Sequence, residues 1–301
     1  MMLSIYHEIV KLTSQKKHYI LLMGFCFLML LMVLVFRHIH EALEKQSGEL
    51  IKDMPYALQL VARGAGVDMA TFCDGLMFAR FAGFILFWVV MPIFAFMFAG
   101  ESIAGEQQDG TLRAYLSRGF SRTKIVLAKF ISVFAIILFY SMVFAALTLL
   151  IGILFFGVSE MQITMFWGNP GGPPGQTQVM GFVSAGKAVL AYFASALYAS
   201  FAISAISSVS FMISVFVKRM SVAATGGMVF FFVSFILQFV FARYAQEIEP
   251  FLITRVMDGY SQVYAIGEID WLSIVKSASV MCIYWAVCIT TPVVVLNMKE
   301  Y

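Results

Sequence analysis

The chain has 301 residues, of which 61% are apolar and only 12% carry a charge, with a formal net charge of +3. A soluble globular domain is about 45–50% apolar and about 25% charged, so this composition excludes a water-soluble enzyme, a disordered protein and a disulfide-stapled secreted module. The small charge also excludes nucleic-acid binding as the main task. The four cysteines are scattered, so we expect neither a disulfide framework nor a metal knuckle.

The segment before the first long apolar run, residues 1–18, carries an apolar stripe at roughly helical spacing: Ile5, Ile9, Val10 and Leu12. We expect an amphipathic helix that lies at the membrane surface. A secretory signal peptide has a shorter apolar region and a small-residue cleavage site, and this sequence shows neither. The first apolar run is therefore predicted to be a retained span.

Six apolar runs are long enough to cross a bilayer, whose hydrocarbon core of about 30 Å takes about 20 helical residues. We predict spans at residues 19–36, 81–100, 125–158, 186–217, 222–242 and 271–296. Open strands cannot cross lipid because their backbone polar groups would lack partners. The sequence therefore predicts an all-α membrane protein with six transmembrane helices, built as a single domain over residues 1–301.

Orientation follows from the lysines and arginines, which crowd into the short connections on one side of the predicted spans. This asymmetry predicts that both termini are cytoplasmic. The outer segments are then residues 37–80, 159–185 and 243–270. We expect short helices in the first, a rigid, turn-rich loop around residues 169–175 in the second, and either a pair of interfacial helices or a re-entrant hairpin in the third.

The predicted spans hold no Asp, Glu or His deep inside them. Proton- and ion-driven carriers generally need such groups, or broken helices, near the bilayer midplane. Span four instead carries two ridges of small residues at spacing four: Ala191, Ser195 and Ala199, and Ser200, Ser204 and Ser208. Such ridges let helix backbones approach closely. Three alternatives stay open, namely helix packing within the chain, a dimer interface, and a serine-lined path.

Two sequence patterns resemble ligand sites, but we do not interpret either of them as one. Residues 181–187 fit G-x-x-x-x-G-K, but Ala188 stands where a phosphate-binding loop needs Ser or Thr, and the context is a loop that leads into a membrane helix. His38 and His40 flank Ile39 and point to different faces of a helix, which is a poor metal site. We predict no catalytic, cofactor-binding or metal-binding residues and expect that the chain is not an enzyme.

The connection between spans two and three, residues 101–124, has the most informative pattern. Asp109 and Gly110 predict a turn, Thr111 an N-cap, and residues 112–117 a short helix that Gly119 ends. Leu112, Tyr115 and Leu116 share one face of that helix, and basic residues flank it. From these residues alone, the short helix is equally compatible with a docking site for a protein and with an amphipathic loop that lies on anionic headgroups.

In this region Glu106, Gly110, Thr111, Leu112, Leu116, Ser121, Arg122 and Lys129 follow one another in an order that resembles the ABC transporter permease family of the second type. These are six-span membrane subunits driven by separate cytoplasmic ATPase subunits. Gly119 stands where the family usually has proline. The resemblance extends over the chain, because it includes the amphipathic N-terminal segment, as an elbow helix, and the six spans.

The resemblance implies a coupling helix that seats in a groove of the ATPase, two ATPase copies that bind ATP and Mg, and a second permease subunit in a homo- or heterodimer. It also places spans two and five at the dimer interface, which disagrees with the ridges of span four. The ATPase-coupling residues it implies are Glu106, Asp109, Gly110, Thr111, Leu112, Arg113, Tyr115, Leu116, Arg118 and Arg122.

The leading hypothesis is therefore an ATP-driven exporter of a lipid-like or amphipathic substrate, in the bacterial cytoplasmic membrane. The alternative is a mechanotransmitting subunit that works on an extracytoplasmic partner protein and moves no cargo. The long outer segments motivate this alternative, because they are large for a bare pore. An intramembrane enzyme is disfavoured, because the spans hold no constellation of His, Asp and Glu.

Overall fold

A computed structural model of the chain describes residues 8–11, 17–53, 74–112, 121–159, 161–165, 180–244, 252–264 and 271–298. Its helices, in chain order, are α1 (Lys17–Asp53), α2 (Gly75–Ile85), α3 (Met91–Gln108), α4 (Arg122–Phe156), α5 (Ala185–Ile213), α6 (Met220–Tyr244), α7 (Ile253–Tyr264) and α8 (Trp271–Met298). A π-helical turn, Leu86–Val90, joins α2 to α3. Strand β1 (Met161–Met165) pairs antiparallel with β2 (Met180–Ser184), with Met161 opposite Ser184.

Six helical segments are long and apolar enough to cross a membrane: Tyr19–His38, Gly75–Gln108, Arg122–Phe156, Ala185–Ile213, Met220–Gln238 and Ile274–Met298. They correspond one to one with the predicted spans. The prediction of an all-α membrane protein with six candidate spans is confirmed, and the chain is a multi-pass integral membrane protein. The cytoplasmic location of both termini stays a prediction.

Helix α5 lies at the centre of the bundle and packs against α3, α4, α6, α7 and α8. It can do so because small residues line it almost all round, and alanine and serine let neighbouring backbones approach closely. Helix α1 lies at the periphery: Phe25 stacks on Phe144 of α4 with ring centroids 4.3 Å apart. Its opposite face exposes Met23 and Phe27, as expected of side chains that contact lipid.

The first outer segment differs from its prediction, because α1 continues as one helix to Asp53 instead of breaking into short helices. Helix α2 begins at Gly75, since Asp74 caps it by accepting a hydrogen bond from the amide of Met77 over 2.9 Å. Arg80, predicted to end the outer segment, therefore lies in the second turn of α2 and is buried.

The other two outer segments also contain regular structure. The β1–β2 hairpin occupies both ends of the segment predicted to be a turn-rich loop, and residues 166–179 lie outside the described residues. Within its described part, the third segment holds the last two residues of α6 and one complete helix, α7. This helix packs against α5, where the Tyr198 hydroxyl donates to the carbonyl oxygen of Val256 over 2.9 Å.

Contacts between helix ends identify the two ends of the bundle. At the outer end, as we name it from the predicted orientation, the Asp74 carboxylate also accepts from the amide of Ser159 over 3.1 Å. At the inner end, the Gln107 side chain donates to the carbonyl oxygen of Val215 over 3.2 Å, so the end of α3 meets the turn between α5 and α6. The inner end also holds residues 8–11, the start of α4 and the end of α8.

Candidate functional site: an ionic cluster at the inner end

Four charged side chains meet at the inner end and form what we name the ionic cluster: Glu8, Lys11, Glu106 and Lys129. Glu106 Oε1 lies 2.8 Å from the ammonium nitrogens of both Lys11 and Lys129. Lys129 also donates to Glu8 Oε1 over 3.0 Å. Acids and bases therefore alternate along a chain of contacts, and the cluster as a whole is neutral.

The centre of the ionic cluster is removed from solvent. Glu106 and Lys129 are each only 2% exposed, and Glu8 is buried, whereas Lys11 is 46% exposed. A buried charge is costly unless it is paired, so each central side chain depends on its partners. We infer that the cluster fixes the relative position of the three elements that supply it, with Lys11 as its half-exposed edge.

Those elements are residues 8–11, the last turn of α3 and the second turn of α4. Lys129 lies about 10 Å along α4 from Arg122, which places its side chain well inside the bundle and level with Glu106. Sequence separation hides these contacts, because Glu106 lies 95 residues from Lys11. The ionic cluster thus links the N-terminal segment to α3 and α4, the two helices on either side of the connection at residues 101–124.

The connection itself begins with the predicted turn. Helix α3 ends at Gln108, and the amide of Asp109 donates to the carbonyl oxygen of Gly105 over 2.9 Å. Gly110 follows with a φ of +71°, a left-handed conformation that glycine adopts without strain. The turn at Asp109 and Gly110 is confirmed. Thr111 and Leu112 are helical after it, and residues 113–120 lie outside the described residues.

Two further contacts tie this connection to other helices. Gln108 Oε1 accepts from the amide of Met220 over 3.5 Å, at the start of α6. Arg122 donates to the carbonyl oxygen of Leu296, near the end of α8. Ser121 stands at the predicted N-cap position of α4, although its side chain makes no capping hydrogen bond. The inner ends of α3, α4, α6 and α8 therefore meet around the connection.

The structure divides the predicted ATPase-coupling residues into three groups. Glu106 and Leu112 are buried, and Arg122 is half-buried against α8. Asp109, Gly110 and Thr111 are exposed and accessible to a partner. Arg113, Tyr115, Leu116 and Arg118 lie outside the described residues. The roles of all ten stay predictions, but buried Glu106 is placed to act inside this chain and not at a surface.

The small-residue ridges of span four lie inside the chain. Ser195, Ala199, Ser200, Ser204 and Ser208 are buried by neighbouring helices of the same chain, and Ala191 is half-buried. Ser195, Ser200 and Ser208 donate to carbonyl oxygens three residues back in α5. This placement matches the helix-packing alternative, since the five buried side chains are covered by helices of the same chain.

One ground for the interpretation of the G-x-x-x-x-G-K pattern is wrong, because a strand and not a loop precedes the helix, although Ala188 still stands where a phosphate-binding loop needs Ser or Thr. Lys187, the last residue of the G-x-x-x-x-G-K pattern, is exposed near the start of α5, and strand β2 leads into that helix. His38 is exposed on α1 and the side chain of His40 lies outside the described set. Among the described residues, no group of three or more His, Cys, Asp and Glu side chains is placed to hold a metal ion.

Sequence reasoning identified Glu106 and Lys129 as parts of one motif but missed that they pair, and it missed Glu8 and Lys11 as their partners. One signal was present, because Glu8 and Lys11 are charges three residues apart beside the apolar stripe of the N-terminal segment. In the structure Glu8 is buried and Val10 is exposed, so the acidic side of this segment faces the bundle.

Comparison with known proteins gives a family but no activity. No curated protein matches this chain. The sequence pattern of one protein family, described as a protein of unknown function (DUF2705), matches residues 30–300. This range includes residues 30–53 of α1, all of α2 to α8, and two members of the ionic cluster, Glu106 and Lys129. The chain therefore belongs to the DUF2705 family.

Proposed function

We propose that this protein is the membrane subunit of an ATP-driven ABC transporter and that a separate cytoplasmic ATPase binds the connection between α3 and α4. The transporter exports a lipid-like or amphipathic substrate across the bacterial cytoplasmic membrane, as a dimer of membrane subunits with two ATPase copies. This chain hydrolyses no ATP. The proposal rests first on the resemblance of residues 106–129 to the permeases of the second type.

The observation that carries the proposal is the position of the ionic cluster. Glu106 precedes the connection and Lys129 follows it, and the two side chains bind each other over 2.8 Å in the protein interior. A displacement of the connection is therefore passed directly to α3 and α4, and through Glu8 to the N-terminal segment. An element that receives force from a partner needs such stiff attachment, because a loosely held loop would absorb the displacement.

Within the described residues, the surface offered to the ATPase consists of Asp109, Gly110 and Thr111. These residues protrude beyond the end of α3 and are exposed, unlike Glu106 and Leu112 on either side. We therefore assign contact with the ATPase to the exposed turn, and support of that turn to the buried side chains.

The experiment is co-purification of the tagged protein with the ATPase encoded beside its gene, followed by measurement of ATP hydrolysis in lipid nanodiscs. Asp109→Arg together with Thr111→Arg should abolish capture of the ATPase, because both positions are exposed. Ser221→Arg, at another exposed inner-end position, is the matched control and should leave capture unchanged. Equal capture by both variants would contradict the proposal.

A second candidate function is mechanotransmission, in which the ATPase cycle moves outer elements that act on an extracytoplasmic protein. One observation favours it: α1 continues as a helix from His38, where its candidate span ends, to Asp53. The β1–β2 hairpin is a further outer element. Under this alternative, deleting the β1–β2 hairpin would abolish the action on the extracytoplasmic protein. ATP hydrolysis measured without a transport substrate would be retained.

A further inference from the structure

We propose that the π turn Leu86–Val90 is a hinge in span two and that the contact between Glu106 and Lys129 is the latch that holds it. When the latch opens, α3 swings together with the neighbours that are fixed to it, α6 and the inner part of α5, while α2 stays in place on α4. The device is a property of the helix bundle alone and does not depend on an ATPase.

The hinge is the point where the helical hydrogen bonding of span two changes. The amide of Met91 donates to the carbonyl of Leu86, five residues back, whereas an α-helix bonds four residues back. Pro92 follows as the second residue of α3 and has no amide hydrogen to donate. π turns within α-helices are rare, occur frequently at functional sites and are a known cause of kinks.

On the outer side of the hinge, α2 is fixed to α4. The amide of Gly75 donates to the carbonyl oxygen of Gly157 over 2.9 Å. The two backbones approach so closely at Gly152 that a Cβ added there would lie 2.2 Å from the Gly75 oxygen. Asp74, which caps α2, also binds the amide of Ser159. The contacts at Gly75 and Gly152 are made by backbone atoms, and the Asp74 carboxylate adds a bond to a backbone amide, so α2 has little freedom to move on α4.

On the other side of the hinge, α3 is fixed to α6 and the inner part of α5. The Ser210 hydroxyl lies within donating distance of the carbonyl oxygens of Phe96 (3.1 Å) and Ala223 (2.9 Å). A Cβ added at Gly100 would lie 2.7 Å from the amide nitrogen of Ala224. The two halves of span two thus have different principal neighbours, and the π turn lies between them.

The latch is the direct ionic contact between the far end of α3 and α4. Glu106 lies in the last turn of α3, where a rotation at the π turn produces the largest displacement. With Lys129 bound to it at 2.8 Å, the inner end of α3 is held against α4. Breaking this contact removes the ionic restraint between α3 and α4, so that the hinge can bend and α3 can move on α4 together with α6 and the inner part of α5.

The test removes the latch and the hinge separately. A π turn accommodates one residue more than an α turn, so deletion of Val89, which is exposed, restores α geometry without changing the phase of either flank. Glu106→Gln with Lys129→Met opens the latch without leaving a net charge, since Glu8 and Lys11 remain to balance each other. Val89→Ala keeps the residue count and is the matched control for the deletion.

Spin labels at Thr111→Cys and Lys124→Cys, both exposed, report the distance between the inner ends of α3 and α4 by electron paramagnetic resonance. The labels are placed in protein that lacks the four native cysteines. We expect a narrow distance distribution with the latch intact, a broad one with it open, and a narrow one again when Val89 is also deleted. Labels at Phe84→Cys and Leu154→Cys, on α2 and α4, should show no change in any variant.

Two results would overturn the proposal: a narrow distribution when the latch is open, or an equally broad one with and without Val89. Val89→Ala in the open-latch protein should stay broad. If the deletion prevents membrane insertion, Pro92→Ala replaces it, because alanine supplies the missing amide hydrogen and stiffens the same turn. It should narrow the distribution in the open-latch protein, and an unchanged width would count against the hinge.

Discussion

Lys129 on α4 reaches Glu106 on α3 over 2.8 Å, and the helices that this contact joins are the two that flank the proposed ATPase-binding connection. Both side chains are buried, so their contact is a structural restraint of a kind that exposed ion pairs rarely provide. A restraint at this place determines whether the connection moves alone or together with the membrane helices.

The contact between Glu106 and Lys129 predicts that substitutions at the two positions have non-additive effects on the free energy of unfolding. Lys129→Met leaves two buried carboxylates without their shared cation and should lower the free energy of unfolding by about 3–5 kcal/mol. Glu106→Gln with Lys129→Met should cost less than the sum of the single changes, because only one buried carboxylate, Glu8, is then left without its cation. Steric-trapping measurements in bicelles give these energies. Lys11→Met, at the half-exposed edge, is the control with a smaller loss, and additive single effects would contradict the pairing.

The N-terminal segment should loosen when its ionic anchors are removed. Glu8→Gln with Lys11→Gln removes the ion pairs that these two side chains make with Lys129 and Glu106. A spin label at Val10→Cys, which is exposed, should then show a narrower, more mobile spectrum in nanodiscs. Lys124→Gln removes an exposed charge outside the ionic cluster and should leave the spectrum unchanged. An immobile label in the double variant would show that other contacts hold the segment.

The close approach of α2 and α4 predicts a sharp contrast between two glycines. Gly152→Ala should destabilise the protein by about 1–3 kcal/mol, since its Cβ would collide with the backbone at Gly75. Gly24→Ala, in α1, has nothing within 4 Å of the added Cβ and should be neutral or slightly stabilising. Thermal unfolding in detergent compares the two variants. Equal midpoints would mean that α2 and α4 are not in close contact.

The cap of α2 predicts a graded effect at Asp74. Its two carboxylate oxygens accept from the amides of Met77 and Ser159, so Asp74→Ala removes a helix cap and a link to the end of α4 together. We expect a loss of about 0.5–2 kcal/mol for the cap alone. Asp74→Asn keeps one oxygen acceptor and should lose less. The same unfolding assay ranks the two variants, and the reverse order would contradict the capping role.

The six spans were predictable because each depends on a local property, a run of apolar residues long enough to cross lipid. Their ends were less predictable, because α1 beyond His38 lacks the apolar run and α2 begins before it. Helix α5 shows why the ridges left alternatives open. It is buried nearly all round, so periodicity could not say which neighbour each ridge faces.

The ionic cluster was beyond sequence reasoning for a different reason. Glu8 and Lys129 are 121 residues apart, and their pairing depends on how residues 8–11 lie against α3 and α4. No local pattern encodes that placement. The turn at Asp109 and Gly110 was predictable, since its chemistry is contained in adjacent residues. The π turn was not, because the hydrophobic residues of Leu86–Val90 are compatible with an ordinary α-helix.

The most direct test of the central claim is whether the exposed turn recruits an ATPase. Capture of the neighbouring-gene ATPase by the tagged membrane protein should be strong for the parent and for Ser221→Arg, and absent for Asp109→Arg with Thr111→Arg, while all three proteins show the same thermal stability. Stable, correctly inserted parent protein that transports its substrate with no ATPase attached would contradict the account.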